Sequence, residues 1–207
     1  MSSKITLFFR ESWLLMVSSL FFGGLLAIVN ARWSPEVEAN EIKKFNRLAS
    51  SLLAGATQFE PVKDISIDLG KGKSVAVDTR KGMDASGNCL GWAFVCEGSG
   101  FADTIKMVVT TDAGFTKMYG FGVLQCSETP GFGDKITIKD GFYQAQFKGV
   151  PTEPFKLVKG GDPKALDSTI VAITGATVTS QAVVNALNTY MQQIKPQLVK
   201  QGLITQQ

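Results

Sequence analysis

Residues 170–198 read IVAITGATVTSQAVVNALNTYMQQIKPQL, and this stretch has the clearest secondary-structure pattern after the N-terminal span. The β-branched run Ile170–Ile173 predicts a strand. Apolar side chains then recur at helical spacing from Val183 to Leu198. This pattern predicts an amphipathic helix whose apolar face packs against a hydrophobic core. Pro196 is expected to kink or end that helix. A strand therefore leads through a short turn into the C-terminal helix.

The turn itself is the tetrapeptide Thr174-Gly175-Ala176-Thr177. Backbone N–H groups at the start of a helix lack partners within the helix, and the helix dipole favours an anion there. The turn is therefore a candidate phosphate site, where a threonine can hold a phosphate or become esterified to it. The alternative is helix capping, in which Thr177 or Thr179 satisfies a free N–H group.

Upstream of this stretch the pattern is that of short strands separated by glycine. Hairpin loops are expected at Gly70–Lys73 and Asp112–Gly114. Ile136–Ile138 and Phe142–Phe147 are ambiguous. Strands are predicted at Ile65–Leu69, Val75–Val77, Leu90–Cys96, Thr104–Thr111 and Phe115–Leu124. Strands followed by a terminal helix predict an α+β domain.

The N-terminal part of the chain contains an uncharged stretch, residues 12–31, with Trp13 and Trp33 near its two ends. Twenty helical residues span about 30 Å, the thickness of the hydrocarbon core of a bilayer. A retained transmembrane anchor is favoured over a cleaved signal peptide and over a buried helix. Ser34-Pro35 is expected to break the chain and to start a separate helix over 35–53. The flanking basic residues leave the orientation open.

Composition excludes several kinds of chemistry. The 207 residues include no histidine and carry a net charge of +3, so neither histidine catalysis nor nucleic-acid binding has support. Cys89, Cys96 and Cys126 lack C-x-x-C spacing, and we expect no metal site and no catalytic residue of this chain's own. Buried free thiols are favoured for them, with a Cys96–Cys126 bridge as the alternative in an oxidising compartment.

A second group of residues lies in CSETPGFGDKI, residues 126–136. Pro130-Gly131 predicts a turn, and the glycines leave the backbone open around an exposed Phe132. Such a loop is suited to lie beside a planar ring with hydrogen-bonding edges, although an ordinary glycine-rich loop has the same pattern. The loop opens no βαβ unit, so a nicotinamide site is not indicated.

Together these motifs resemble a known family. SETPGFGDKI, then Phe147-Lys148-Gly149, then ITGATVTS, in this order behind a membrane span, is similar to the G subunit of the Rnf electron-transport complex. The chain also resembles the C subunit of the sodium-pumping NADH:quinone oxidoreductase. One departure concerns the position three before the first motif threonine, which is usually acidic in the family but is Val171 here. A smaller departure is Cys126.

The resemblance implies a cofactor and its site. FMN would be joined through its phosphate to Thr177 by a phosphoester bond that a separate flavin transferase makes from FAD. The phosphate end would be shaped by neighbouring residues of the tetrapeptide motif and helix start, and the ring would be approached by residues of the second loop. The residues at the phosphate end are Thr174, Gly175, Ala176, Thr179 and Ser180. The residues near the ring are Glu128, Thr129, Gly131 and Phe132.

The resemblance also implies a place in a complex. Residues 1–33 would form a cytoplasmic tail and a transmembrane anchor, and residues 34–207 an extracytoplasmic FMN-binding domain on the bacterial inner membrane. The chain would relay electrons within an ion-translocating ferredoxin:NAD oxidoreductase, beside the A, D and E membrane subunits and the B and C peripheral subunits. Alternatives are a flavin relay of the quinone-reducing homologue or of another membrane chain, and a non-redox assembly protein.

Overall fold

The computed structural model describes residues 2–70, 72 and 74–205, which divide into two compact units, Met1–Lys43 and Lys44–Gln207. Helix α1 spans Ser2–Leu52, so it makes up the described part of the first unit, and its last residues, 44–52, belong to the second. Within the described residues this helix has the only stretch long and apolar enough to cross a membrane. The predicted domain boundary after residue 33 stays a prediction.

The predicted helix break at Ser34-Pro35 is wrong. Helix α1 continues through Pro35. Inside a helix, a proline lacks one hydrogen bond and its ring crowds the carbonyl four residues earlier. Because α1 has helical residues on both sides of Pro35, this local cost does not end the helix. The Ser34 hydroxyl also donates to the Asn30 carbonyl (2.7 Å), which adds a partner one residue before the carbonyl that proline leaves free.

The second unit is an α+β domain, as predicted. Its strands are β1 Gln58–Val62, β2 Ser66–Asp68, β3 Ser74–Ala76, β4 Thr79–Met83, β5 Cys89–Ser99, β6 Thr104–Asp112, β7 Met118–Gln125, β8 Lys156–Val158 and β9 Thr169–Val171. Its helices are a 3₁₀ segment Gly133–Thr137, α2 Phe142–Ala145 and α3 Thr177–Lys200. The ambiguous segments near residues 136 and 142 are therefore helical.

Five of the strands form one antiparallel sheet in the order β1-β4-β5-β6-β7. Both predicted hairpins are present: β2 pairs with β3, and β6 with β7, although Lys71 and Lys73 of the first loop lie outside the described residues. Strands β1 and β4 carry prolines or charges instead of alternating apolar residues, so the sequence did not reveal them. Pro61 is tolerated because β1 lies at the sheet edge.

One face of the sheet holds the main core. Alternate residues of the central strands, such as Trp92 and Phe94, point to this face and pack with the apolar stripe of α3. The stripe is the predicted one, and its buried members include Val183, Leu187, Tyr190, Met191, Ile194 and Leu198. Burying each such side chain stabilises the fold by about 1.5–3 kcal/mol.

The opposite face is covered by the end of α1. Phe45 and Ala49 are buried there with Ala93 and Val108. The helix approaches closely because glycines lie beneath it: a Cβ added at Gly82 would clash with the side chain of Leu53. A Cβ would also contact a leucine of this segment, residues 48–53, at Gly91, Gly120 and Gly122. Side chains on these strands would push the helix off the sheet.

The C-terminal half of α3 is held by side-chain amides. Gln197 both accepts from the Ser66 N–H (3.1 Å) and donates to the Ser66 carbonyl (2.5 Å), and Gln193 does the same with Asp68 (2.7 and 2.9 Å). The two glutamines thus pair with β2 as a neighbouring strand would. The prediction that α3 ends at Pro196 is wrong, because the helix continues to Lys200. The alternative prediction of a kink there stays a prediction.

All three cysteines are free thiols. Cys96 is buried in the main core, and Cys89 and Cys126 are half-buried against it. Burial raises the pKa of each thiol, so all three are protonated near neutral pH. The favoured expectation of free, buried thiols is confirmed for Cys96, and the bridged alternative is not present.

Candidate functional site

The Thr-Gly-Ala-Thr segment forms a tight turn between β9 and α3. The Ala176 N–H donates to the Ile173 carbonyl (2.9 Å), and Gly175 occupies the third position with φ of +82°. That position requires a left-handed backbone, which glycine adopts without strain. Ser180 closes the turn, since its hydroxyl accepts from the Ile173 N–H (3.1 Å) and donates to the Ala176 carbonyl (2.9 Å).

Helix α3 starts without a side-chain cap. Its first residue is Thr177, the preceding residue is Ala176, and no side chain caps the first turn. Within the described part of the chain, the N–H groups of residues 177–179 have no acceptor. The Thr177 side chain is exposed. The capping alternative is therefore not observed, and the turn keeps both a free hydroxyl and free N–H donors.

The second predicted loop contains a turn of the same kind. The Phe132 N–H donates to the Thr129 carbonyl (3.2 Å) across Pro130 and Gly131, and Gly131 has φ of +79°. The Phe132 side chain is 52% exposed at the end of this turn. Both features match the prediction from the sequence.

The fold brings these two loops into contact. A Cβ on Gly175 would lie 2.9 Å from Phe132 Cδ1, so the phenyl ring rests directly on the glycine of the other turn. Behind the ring, the Thr179 hydroxyl donates to Glu128 Oε2 (2.5 Å). A Cβ on Gly133 would stand 2.8 Å from both of these oxygens, so only glycine fits beside the pair. The exposed Thr177 and Phe132 therefore share one surface.

Glu128 is the buried charge of the site, with 6% of its surface exposed. Burial raises the pKa of its carboxyl, but hydrogen bonds from the Thr179 hydroxyl and from backbone N–H groups of residues 101–103 outweigh this and lower the pKa below its ordinary value. Glu128 is thus ionised near neutral pH and fully engaged by protein donors.

The candidate residues fall into two groups. The exposed ones are Thr129, Gly131, Phe132, Thr174, Gly175 and Thr177. The buried ones are Glu128, Ala176, Thr179 and Ser180. The buried hydroxyls and carboxylate bond to the protein itself, so they hold the exposed group in place.

Sequence reasoning missed two contributors. The loop of residues 100–103 reaches Glu128 through the Ala102 N–H (3.0 Å), and the buried Tyr143 hydroxyl donates to the Ser180 carbonyl (2.8 Å). Two glycines at positions 98 and 100, just before a phenylalanine at 101, were the available signal for the first. For Tyr143 there was no sequence signal, because its partner is remote in sequence.

The chain has relatives along most of its length. It is 30% identical over 183 residues to the G subunit of an ion-translocating oxidoreductase complex from Methanosarcina acetivorans, covering 88% of this chain and 92% of the relative. The chain belongs to this G-subunit family. Another member, from the sodium-translocating ferredoxin:NAD oxidoreductase complex of Acetobacterium woodii, is 28% identical and covers 89% and 90% of the two chains.

Two further similarities concern the domain that follows α1. The FMN-binding domain family matches residues 100–192, which include both motif loops and most of α3. The crystal structure of Shewanella oneidensis NqrC is similar at a TM-score of 0.55 and 26% identity, over 70% of this chain and 72% of that one. The resemblance inferred from the motifs is therefore confirmed at the level of family and fold.

Proposed function

We propose that this protein carries FMN at the Thr177 surface and relays electrons within an Rnf-type ion-translocating ferredoxin:NAD oxidoreductase complex. The observation that carries the proposal is the uncapped start of α3, with its exposed Thr177 hydroxyl, beside the exposed Phe132 ring in an FMN-binding domain. Its relatives are subunits of ion-translocating oxidoreductase complexes, which supports the role in a complex. The protein would have no complete activity alone.

The residues present fit the phosphate end of FMN. The N–H groups of residues 177–179 provide donors for phosphate oxygens, and the helix dipole adds a favourable field. Thr177 would be esterified: its oxygen bonds to the FMN phosphorus of FAD, and adenosine monophosphate leaves as a flavin transferase breaks the pyrophosphate bond. Thr174, Gly175 and Ala176 shape the turn, while Thr179 and Ser180 hold it from beneath.

The second loop fits the ring end. Phe132 offers an exposed aromatic face, and Thr129 and Gly131 offer exposed backbone and hydroxyl groups at the same turn. Glu128 anchors this loop to Thr179. When bound, FMN supplies the electron-transfer chemistry that protein side chains lack. The chain's own part is to hold and orient the flavin on a rigid domain.

The membrane arrangement is part of the proposal. Residues 1–33 form a cytoplasmic tail and a single transmembrane span, and residues 34–207 an extracytoplasmic domain on the inner membrane. The exposed apolar side chains along residues 13–33 are suited to a lipid bilayer. The proposed protein partners are the A, D and E membrane subunits and the B and C peripheral subunits.

A second candidate is the equivalent flavin relay in a sodium-pumping NADH:quinone oxidoreductase. The fold similarity to NqrC favours it as the alternative. Purification of the tagged protein from its native membranes separates the two, since the first predicts co-purification with a ferredoxin-oxidising complex and the second with a quinone-reducing one.

The attachment is tested by intact mass and peptide mapping of full-length protein co-expressed with a flavin transferase. We expect one FMN per chain, on the peptide that contains Thr177, and its complete loss in Thr177→Ala. Thr177→Ser keeps a hydroxyl and serves as the matched control. A wild-type protein that is folded but carries no flavin would overturn the redox proposal and favour a non-redox membrane-tethered role. Flavin retained on Thr177→Ala would overturn the assignment of the residue.

A further inference from the structure

A third segment lies at the candidate site, the loop of residues 100–103 between β5 and β6. A Cβ on Gly98, at the end of β5, would lie 3.0 Å from the Ala182 carbonyl oxygen of α3. The tip of this hairpin is therefore packed beside the first turns of the helix that begins at Thr177.

Glu128 fixes the position of the loop. One carboxylate oxygen accepts from the Ala102 N–H (3.0 Å) and the other from the Thr179 hydroxyl (2.5 Å). A Cβ on Gly100 would clash with Glu128 Oε1, so the loop backbone lies directly against the carboxylate. A buried charge held by several donors strongly favours a single geometry, because each lost hydrogen bond leaves it less well solvated.

The loop carries an exposed apolar side chain. Phe101 is 71% exposed, and Phe132 and Val178 are exposed on the two segments that share the Glu128–Thr179 contact. Water contact with a phenylalanine side chain costs about 1.5–3 kcal/mol relative to burial. The loop of residues 100–103 and the first turn of α3 both bond to Glu128, four residues before Phe132, so these exposed apolar side chains belong to three neighbouring segments. Exposed apolar side chains beside a few polar groups are suited to a planar apolar ligand.

We propose that the loop of residues 100–103 is a third wall of the flavin site, with Phe101 as an apolar contact for the isoalloxazine ring and Glu128 as the residue that positions the loop. The inference rests on the proposed function. It goes further because it adds a segment that neither motif contains and gives Glu128 a structural task in place of a ring contact.

Collisional quenching of flavin fluorescence by iodide tests the wall directly. In flavin-loaded full-length protein, Phe101→Ala is expected to keep one FMN on Thr177 and to raise the quenching constant about twofold, because part of the ring becomes open to solvent. Phe142→Ala, which truncates a similarly exposed phenylalanine (53%) on α2, is the matched control and should leave the constant unchanged. An unchanged constant in Phe101→Ala would overturn the inference while leaving the flavin assignment intact.

Hydrogen exchange tests the positioning role without any flavin signal. In Glu128→Ala the Ala102 amide loses its acceptor, and its exchange should accelerate about tenfold, equivalent to the loss of one charged hydrogen bond. Glu128→Gln keeps an acceptor oxygen and should exchange close to wild type. Unchanged Ala102 exchange in a folded Glu128→Ala protein would contradict the positioning role. Absence of flavin from wild-type protein would instead refute the proposed function and the wall together.

Discussion

The two ends of α3 differ in whether their polar groups have hydrogen-bond partners. At the C-terminal half, Gln193 and Gln197 pair in both directions with the backbone of β2. At the N-terminal end, the first turn has no side-chain cap and Thr177 is exposed. The same helix is thus held by side-chain amides at one end and has no side-chain cap at the other.

This difference reflects where unpaired backbone groups are tolerated. Unpaired backbone donors are costly when buried but are tolerated at a surface that water or a ligand reaches. The open turn is nevertheless rigid, because Ser180, Thr179 and Glu128 hold it from the buried side. Substitutions at the two ends should therefore affect stability and cofactor binding differently.

The largest effect on stability is expected at Gly133, beside the buried Glu128–Thr179 hydrogen bond near the start of α3. Gly133→Ala places a methyl group against both the Glu128 carboxylate and the Thr179 hydroxyl, and should lower the free energy of unfolding by about 3 kcal/mol. Urea denaturation of the protein measures the change. Gly131→Ala, whose added methyl meets open space but requires a positive φ, should cost only about 1 kcal/mol. Equal costs would show that the Glu128–Thr179 contact is not sterically demanding.

The next largest effect is expected at the paired end. Gln197→Ala removes two hydrogen bonds to Ser66 and should lower the free energy of unfolding by about 2 kcal/mol, with no effect on flavin content. Gln192→Ala, at an exposed position of the same helix, should stay within about 0.5 kcal/mol of wild type. If both variants unfolded at the same urea concentration, the amide pairing would contribute nothing to stability.

A smaller effect is expected on the stability of the protein at acidic pH. The pKa of Glu128 is depressed in the folded state, so its contribution to stability is present above its ordinary pKa of 4.5 and is lost as the pH falls through the lower folded value. Wild-type protein should therefore lose more stability than Glu128→Gln as the pH falls from about 5 to about 3. Thermal unfolding across this range provides the measurement, and parallel pH profiles would contradict the assignment of the depressed pKa to Glu128.

The smallest stability effect is expected at the residue with the largest proposed chemical role. In flavin-free protein, Thr177→Ala should change the free energy of unfolding by no more than about 0.5 kcal/mol, because this exposed hydroxyl caps nothing. A loss of about 1 kcal/mol would indicate a capping role instead. Thr179→Ala, which removes a donor to a buried carboxylate, should cost about 2 kcal/mol in the same assay.

Much of the fold was predictable because local patterns and local turns agree. The apolar stripe of α3, the β6–β7 hairpin and the Pro130-Gly131 turn all depend on residues close together in sequence. The failures have different causes. Pro35 and Pro196 were expected to end their helices, but both lie at exposed positions of long helices that continue past them. Strands β1 and β4 were not expected, because their pairing with neighbouring strands outweighs the weak strand preferences of their residues.

Residue type and spacing alone were enough to predict the family, the apolar N-terminal helix, and the two motifs with their turn-forming glycines. The tertiary structure was needed to show that Phe132 rests on Gly175, and that buried Glu128 bonds to both Thr179 and the loop of residues 100–103. These contacts connect segments dozens of residues apart. They form because the core shared by α3 and the sheet brings these segments together. A local sequence pattern cannot predict such long-range contacts.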